Sequence, residues 1–379
     1  MDRVVPDRDP RQQPGGPTSW FRSVRRLPER HPGRTITAVG VLFVLAYASS
    51  LVLLPKPDGR IVLGDAVHYY VYLRSAVYDR DLQFRNDYVR LYGLKGGEKG
   101  TEWVYEPTDT GHTRNMMAVG TAIAWSPLFV LATGLLHVGR WFGSVYPVDG
   151  FGRSFQATAG FSGILAATWG AWLAYRLCRS RFGPRVAIWS TLAVWLASSA
   201  VYYSVVSPTY SHAVSMLGSG AFFWYWATTF DQQTPGRYAR LGALAGLVTL
   251  VRWQDAVFLI APTVEALWHL QPSPIAHARR LRTAAVNLSS CILAATLVFS
   301  PQLMVWMTLY GDPLVVPQGS GFMRWTEPAL IRVLVSDAHG LFSWTPVVVI
   351  GVCGLVPLAR RERVLGLGLA AAFVASWYV

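Results

Sequence analysis

The strongest constraint on this chain is an alternation along its length. Apolar runs long enough to cross a hydrocarbon core, which takes roughly 20 residues each, are joined by linkers that are arginine-rich on every second occasion. The runs are 35–54, 116–138, 155–177, 186–206, 212–230, a pair within 241–270, 284–310 and 341–359. The pattern predicts an all-α polytopic membrane protein. Composition agrees, with 52% hydrophobic against 15% charged residues. The net charge of +13 would suit nucleic acid, but the basic residues stand at the ends of apolar runs. There they act as orientation signals, which argues against a nucleic-acid partner. Cys178, Cys291 and Cys353 lie in or beside apolar runs without metal spacing and read as packing residues.

Residues 1–34 carry eight arginines against four acids with few apolar residues, and are expected to form a disordered cytoplasmic tail. Thr35 to Leu54 comes next as a retained anchor, with no cleavable signal before it. The remainder, 35–379, is expected to form the transmembrane domain of a multi-pass plasma-membrane protein with a cytoplasmic N-terminus. The linkers holding Arg179/Arg181/Arg185, Arg237/Arg240, Arg279/Arg280/Arg282 and Arg360/Arg361/Arg363 all fall inside only if Met116–Val138 makes no net crossing. That run is therefore expected to be a helix or re-entrant pair, interrupted at Pro127, within an external segment of about 55–154. Leu241–Leu270 reads as two short helices around an outward RWQD turn. One helix would bury Arg252 and Asp255 at mid-bilayer, at around 2.5–3.5 kcal/mol each. The first short helix, Leu241–Val251, would rise only about 16 Å, leaving the turn recessed. The chain ends at Val379 within an apolar run, which predicts either a fragment of a longer protein or an incomplete last helix, and it shows no internal repeat.

Nine of the 21 acids lie between Pro55 and Asn115, so any chemistry is expected there. Asp65 opens a run with Ala66, Tyr70, Leu73 and Val77 at helical spacing and Arg74 off the stripe. This predicts an amphipathic helix along a membrane face, with Asp65 either capping its N-terminus or serving as a general base. His68, one turn on, is placed to share a proton with Asp65, or else is simply hydrogen-bonded. Asp79 and Asp81 have the D-x-D spacing that can present two carboxylates to a cation or to sugar hydroxyls, or else form a solvated charge run. His212 lies in the uncharged external turn SPTYSH, where a helix-start histidine is the plainer alternative. Arg252, Gln254 and Asp255 share the recessed turn, suited to capturing a lipid phosphate through the guanidinium fork. The alternative is that Arg252 snorkels to the headgroups, paired with Asp255. Trp325, Asp337 and His339 in the last external loop are candidates by position alone.

In order and placement these features resemble the GT-C superfamily of membrane glycosyltransferases, which includes protein O-mannosyltransferases and aminoarabinose transferases. The resemblance rests on Gly64-Asp65, Asp79 to Leu82, Trp125–Pro127, Ser207–Ala213, Gly246–Phe258 (GLVTLVRWQDAVF) and His339–Pro346 (HGLFSWTP), and it covers roughly 35–360. It implies a GT-C-like bundle with a long first external loop containing interfacial helices. It also implies a polyprenyl-phosphate-linked sugar donor and a lipid, glycan or protein acceptor, with inversion and with Asp65 matching the catalytic acid of the first loop. SPTYSHA lacks the second acidic motif of some subfamilies, which puts divalent-metal dependence in doubt. A transporter or lipid flippase, or a non-catalytic membrane subunit, is the competing expectation.

Overall fold

A computed structural model describes residues 28–55, 58–92, 102–270, 277–319 and 321–379. The expected disordered tail lies largely outside the described residues. The protein is all-helical, 74% helix, and among the described residues the extended pairing is an isolated bridge between Pro107 and Thr113. Helix α1 (Pro32–Leu53) starts three residues before the expected Thr35, because Pro32 suits the first helical turn. Among the described residues three helices are long and apolar enough to cross a membrane: α1, α4 (Gly120–Trp141) and most of α11 (His277–Tyr310). A fourth would be added by α6 (Pro184–Leu196) joined to α7 (Ser199–Val201) and its π-helical continuation to Val206, a pair bent by 70°. Around these pack α5 (Arg153–Arg179), α8 (Ser211–Thr229), α9 (Pro235–Val251), α10 (Ile260–Trp268), α14 (Val347–Arg361) and α15 (Arg363–Tyr378).

Close backbone approach holds the bundle together. Helices α9 and α11 meet across Gly242 and Gly246, where an added Cβ would stand 1.9 Å from the Cys291 carbonyl oxygen and 2.6 Å from that of Ala295. Small residues four apart let two helices touch without a side chain between them, as membrane-embedded pairs do. On its outer side α11 exposes Ile292, Leu293 and Leu297, and α1 likewise exposes Leu42 and Leu45.

The hairpin expected within 241–270 is present. Helix α9 ends at Val251, Arg252 adopts an extended conformation, and a 3-10 turn (Trp253–Leu259) leads into α10. Arg237 near the hairpin's start forms a bidentate ion pair with Glu265 near its end, at 2.6 and 3.0 Å, so the break at Arg252 is the far tip. Two expectations change here. Helix α9 begins at Pro235 and rises about 25 Å, so the tip is less recessed than an eleven-residue helix would leave it. Arg237 is not a solvated orientation charge but is 1% exposed, with Glu265 also accepting from Trp226 and Gln233.

The first polar segment differs more from expectation. Helix α2 (Asp65–Arg74), continued by a π-helical turn over Ser75–Asp79, is not amphipathic: Ala66 through Arg74 are all buried. Tyrosines at 69, 70 and 72 bring bulk to every side, and α3 (Arg85–Tyr92), α4 and the start of α5 cover them. Arg74, expected off the apolar stripe, is 8% exposed and binds Asp87 at 3.2 Å, Asp79 and the Asp149 carbonyl.

Helix α4 passes through Pro127 without the expected interruption. The carbonyl of Ile123 that loses its backbone donor there accepts the Ser126 hydroxyl at 2.8 Å instead. The helix runs beside α2: Trp125 packs on Tyr69, Phe129 on Tyr70 and Tyr78, and the Thr133 hydroxyl meets that of Tyr78. The chain before α4 is tied to α2 by Asn115, which donates to the His68 carbonyl. The chain after it is tied by Arg74, six residues further along α2.

Candidate functional site

Gly64 sets the position of Asp65. Its φ of +54° belongs to the left-handed region that glycine tolerates, and a Cβ there would meet the Tyr210 hydroxyl at 2.7 Å. The chain turns at Gly64, which takes the N-cap position, and α2 begins at Asp65, an exposed residue inside the first turn. The simple N-cap reading therefore fails, although a carboxylate in the first helical turn still faces the positive end of the helix dipole. Surrounding protein raises the Asp65 pKa above the usual carboxylate value, and the positive charge of Arg252 opposes that rise.

Arg252 comes from the tip of the α9–α10 hairpin. Its Nη1 donates to His212 Nδ1 at 2.8 Å, and the His212 ring stacks on Tyr203 with centroids 3.9 Å apart. Accepting from a guanidinium fixes Nδ1 of His212 as the unprotonated nitrogen. Arg252 has no carboxylate within ion-pair distance among the described residues, and Asp255 instead accepts the Ser215 hydroxyl at 2.6 Å. The Arg252–Asp255 pairing of the alternative reading is not formed, and the guanidinium is half-buried and oriented by His212. Gln254 is half-buried in the same turn.

His212, Ser215 and Arg252 line a cavity of about 890 Å³, which α12 (Leu330–Val335), α13 (Leu341–Trp344) and α15 complete through Val333, Trp344 and Trp377, with His339 just before α13. His339 stacks on Trp344 at 5.2 Å. On the far side of the SPTYSH turn, a second cavity of about 270 Å³ is lined by Leu63, Tyr202, Thr209, Tyr210, Arg60 and Arg153. The chain just before Asp65 borders this second cavity through Leu63, and Asp65 is linked to the first by the charge of Arg252.

The structure does not bring the other expected residues to this site. His68 points away from Asp65: it is 4% exposed, shares a hydrogen bond with the Tyr88 hydroxyl at 2.8 Å and stacks on Trp103. Burial pushes its pKa down to about 4, so it is a neutral core residue and not a proton partner of Asp65. Asp79 and Asp81 do not converge. The Asp79 carboxylate is taken by Arg74 and Asn86, and that of Asp81 by the Ser75 hydroxyl and the Gln83 amide. Arg80 between them is left-handed at φ 59°, and this turn separates the two carboxylates. Among the described residues no three of His, Cys, Asp and Glu group as a metal site.

Several members of the site carry no signal in the sequence. Tyr203 and Ser215 lie in apolar runs without a motif, and Trp377 lies beyond the last run long enough to be recognised. Trp344 falls inside HGLFSWTP and was legible in principle. Asp87 also goes unmarked by any motif; it is fully buried against Arg74, and burial raises its pKa to about 7. No family model matches the chain, and no curated protein matches it.

Proposed function

We propose that the protein is a multi-pass membrane glycosyltransferase that moves a sugar from a polyprenyl-phosphate donor to an acceptor hydroxyl outside the membrane. The observation that carries this reading is Arg252: an arginine at a helix break, held by a histidine, without a carboxylate partner among the described residues, opening into a large cavity near the exposed Asp65. In this mechanism the Asp65 carboxylate takes the proton from the acceptor hydroxyl as its oxygen attacks the anomeric carbon. The bond from that carbon to the phosphate oxygen breaks, and the electron pair leaves with the polyprenyl phosphate. Arg252 stabilises the growing phosphate charge through its fork. Direct displacement inverts the anomeric centre. Trp344 and Trp377 offer the flat apolar faces that sugars and isoprenoid chains pack against.

The outward apolar stripes on α1 and α11 suit lipid contact, and the N-terminus is assigned to the cytoplasm of a plasma-membrane protein by the positive-inside pattern. Helix α4 is assigned to the external segment, supported by the ties of both its flanks to α2.

The test is an assay of the purified full chain against a panel of polyprenyl-phosphate sugars, monitoring release of free polyprenyl phosphate. The proposal expects release from one sugar class in the presence of its acceptor. Folded protein that releases none would turn the reading to a non-catalytic subunit.

A further inference from the structure

The cavity that holds Arg252 also constrains the sugar it can accept. Among the described residues its wall contains no carboxylate. Asp255, three residues after Arg252, does not line it and accepts the Ser215 hydroxyl at 2.6 Å. Asp337, two residues before His339, is exposed and also outside the lining. Four hydroxyls on the wall have already given their protons to the protein. Ser215 donates to Asp255, Ser219 to the Met216 carbonyl at 3.3 Å, Ser376 to that of Ala372 at 2.8 Å, and Thr345 to that of Leu341. A hydroxyl has one proton and two lone pairs, so each of these is left to the cavity as a neutral acceptor. Trp344 and Trp377 likewise donate their indole N–H groups to the Asp337 and Leu330 carbonyls, at 2.7 and 2.9 Å, and offer the cavity their apolar ring carbons.

We infer that the donor's sugar is neutral: a hexose or pentose carrying hydroxyls but no ammonium and no carboxylate. The inference rests on the glycosyl-transfer reading above, in which Arg252 takes the phosphate. Sugar hydroxyls can donate to the four neutral oxygens while the C–H face of the ring packs on an indole. A sugar ammonium would enter beside the Arg252 charge with no anion in the wall, and burying an unpaired charge costs far more than burying a hydroxyl. Pairing it with Asp65 instead would occupy the carboxylate that takes the acceptor proton. A sugar carboxylate would face the same lone pairs. Its natural partner, Arg252, is the one arginine or lysine among the described residues of the wall and is already on the phosphate.

The experiment measures binding, so it needs no acceptor. The purified full chain, stripped of lipid in neutral detergent, is titrated at neutral pH with bare short-chain polyprenyl phosphate. The same lipid carrying mannose, glucose, arabinose, aminoarabinose or glucuronate is titrated alongside, and bound mass is read by native mass spectrometry. The best neutral conjugate should bind at least about tenfold more tightly than the aminoarabinose and glucuronate conjugates, a modest share of the cost of an unpaired charge. The double variant Ser219→Ala/Ser376→Ala should weaken that neutral conjugate by about tenfold, the scale of lost neutral hydrogen bonds, and should bind bare polyprenyl phosphate as the wild type does. Either single variant carries the same comparison should the double variant fail to fold. An aminoarabinose or glucuronate conjugate that binds as tightly as the best neutral one would overturn the inference and leave the phosphate site standing. Serine variants that change nothing, or that weaken bare polyprenyl phosphate equally, would overturn it too. Binding of none of these lipids, bare polyprenyl phosphate included, would remove the glycosyl-transfer reading itself and the inference with it.

Discussion

The Arg252 guanidinium hydrogen-bonds to His212, and the rest of its fork is free to meet a ligand. A fork that grips phosphate oxygens in pairs is not replaced by an ammonium, whereas a side chain reaching for headgroups needs only length and charge. Arg252→Lys should therefore weaken donor use by roughly 1–3 kcal/mol, read as kcat/KM with a short-chain donor. Unchanged kinetics would assign Arg252 to the headgroups. A second residue-scale prediction concerns Asp87 and His68, buried in the same cluster. Burial raises the Asp87 pKa to about 7, so the fold holds its proton more tightly than the unfolded chain and loses stability as pH rises from about 4 to about 7. His68, lowered to about 4, has the opposite sign: its contribution is present above about 6.5 and is lost as pH falls towards 4. The Tm difference between Asp87→Asn and wild type should therefore shift in the variant's favour as pH rises through that window and level off above 7. A difference that stays flat with pH would show that Asp87 is ionised throughout in the fold.

At the scale of elements, the site depends on where α4 meets the hairpin tip. A Cβ on Gly120 would stand 2.3 Å from the Leu250 carbonyl oxygen, just before Arg252, whereas one on Gly134 meets nothing within 4 Å. Gly120→Val should displace the tip, lowering Tm and reducing turnover by more than about tenfold, the sensitivity expected of a mispositioned catalytic group. Gly134→Ala should leave both unchanged. A Gly120→Val protein of normal activity would uncouple α4 from the site. The hairpin was legible because two charges in an apolar run force a break, and Asp65 because a glycine and an acid announce a helix start. The burial of α2 was not legible: its tyrosines alternate with apolar residues, and periodicity cannot distinguish lipid from protein as the covering surface. The fate of the D-x-D carboxylates is not legible for a related reason, since they are consumed by Arg74, Asn86 and Ser75, partners that spacing alone does not reveal.

For the whole molecule, glycosyl transfer outside the membrane requires the segment from α2 to the start of α5 to lie on one side of it. In a chain without its native cysteines, Asp109→Cys and Val145→Cys flank α4 at exposed positions, Val145 being 97% exposed. Both should react with an impermeant thiol reagent added outside intact cells. Reaction at position 145 only after permeabilisation would make α4 a true crossing and reverse the sidedness of every later helix. Removal of the acceptor proton by Asp65 during transfer from a polyprenyl phosphate is tested most directly by Asp65→Asn. Asp65 is exposed and stands inside the first turn, with Gly64 at the N-cap, so the amide should leave Tm nearly unchanged. Turnover with the accepted donor should fall on the order of 10²-fold or more, the usual contribution of a general base. Turnover close to wild type in a folded Asp65→Asn protein would rule Asp65 out as the base.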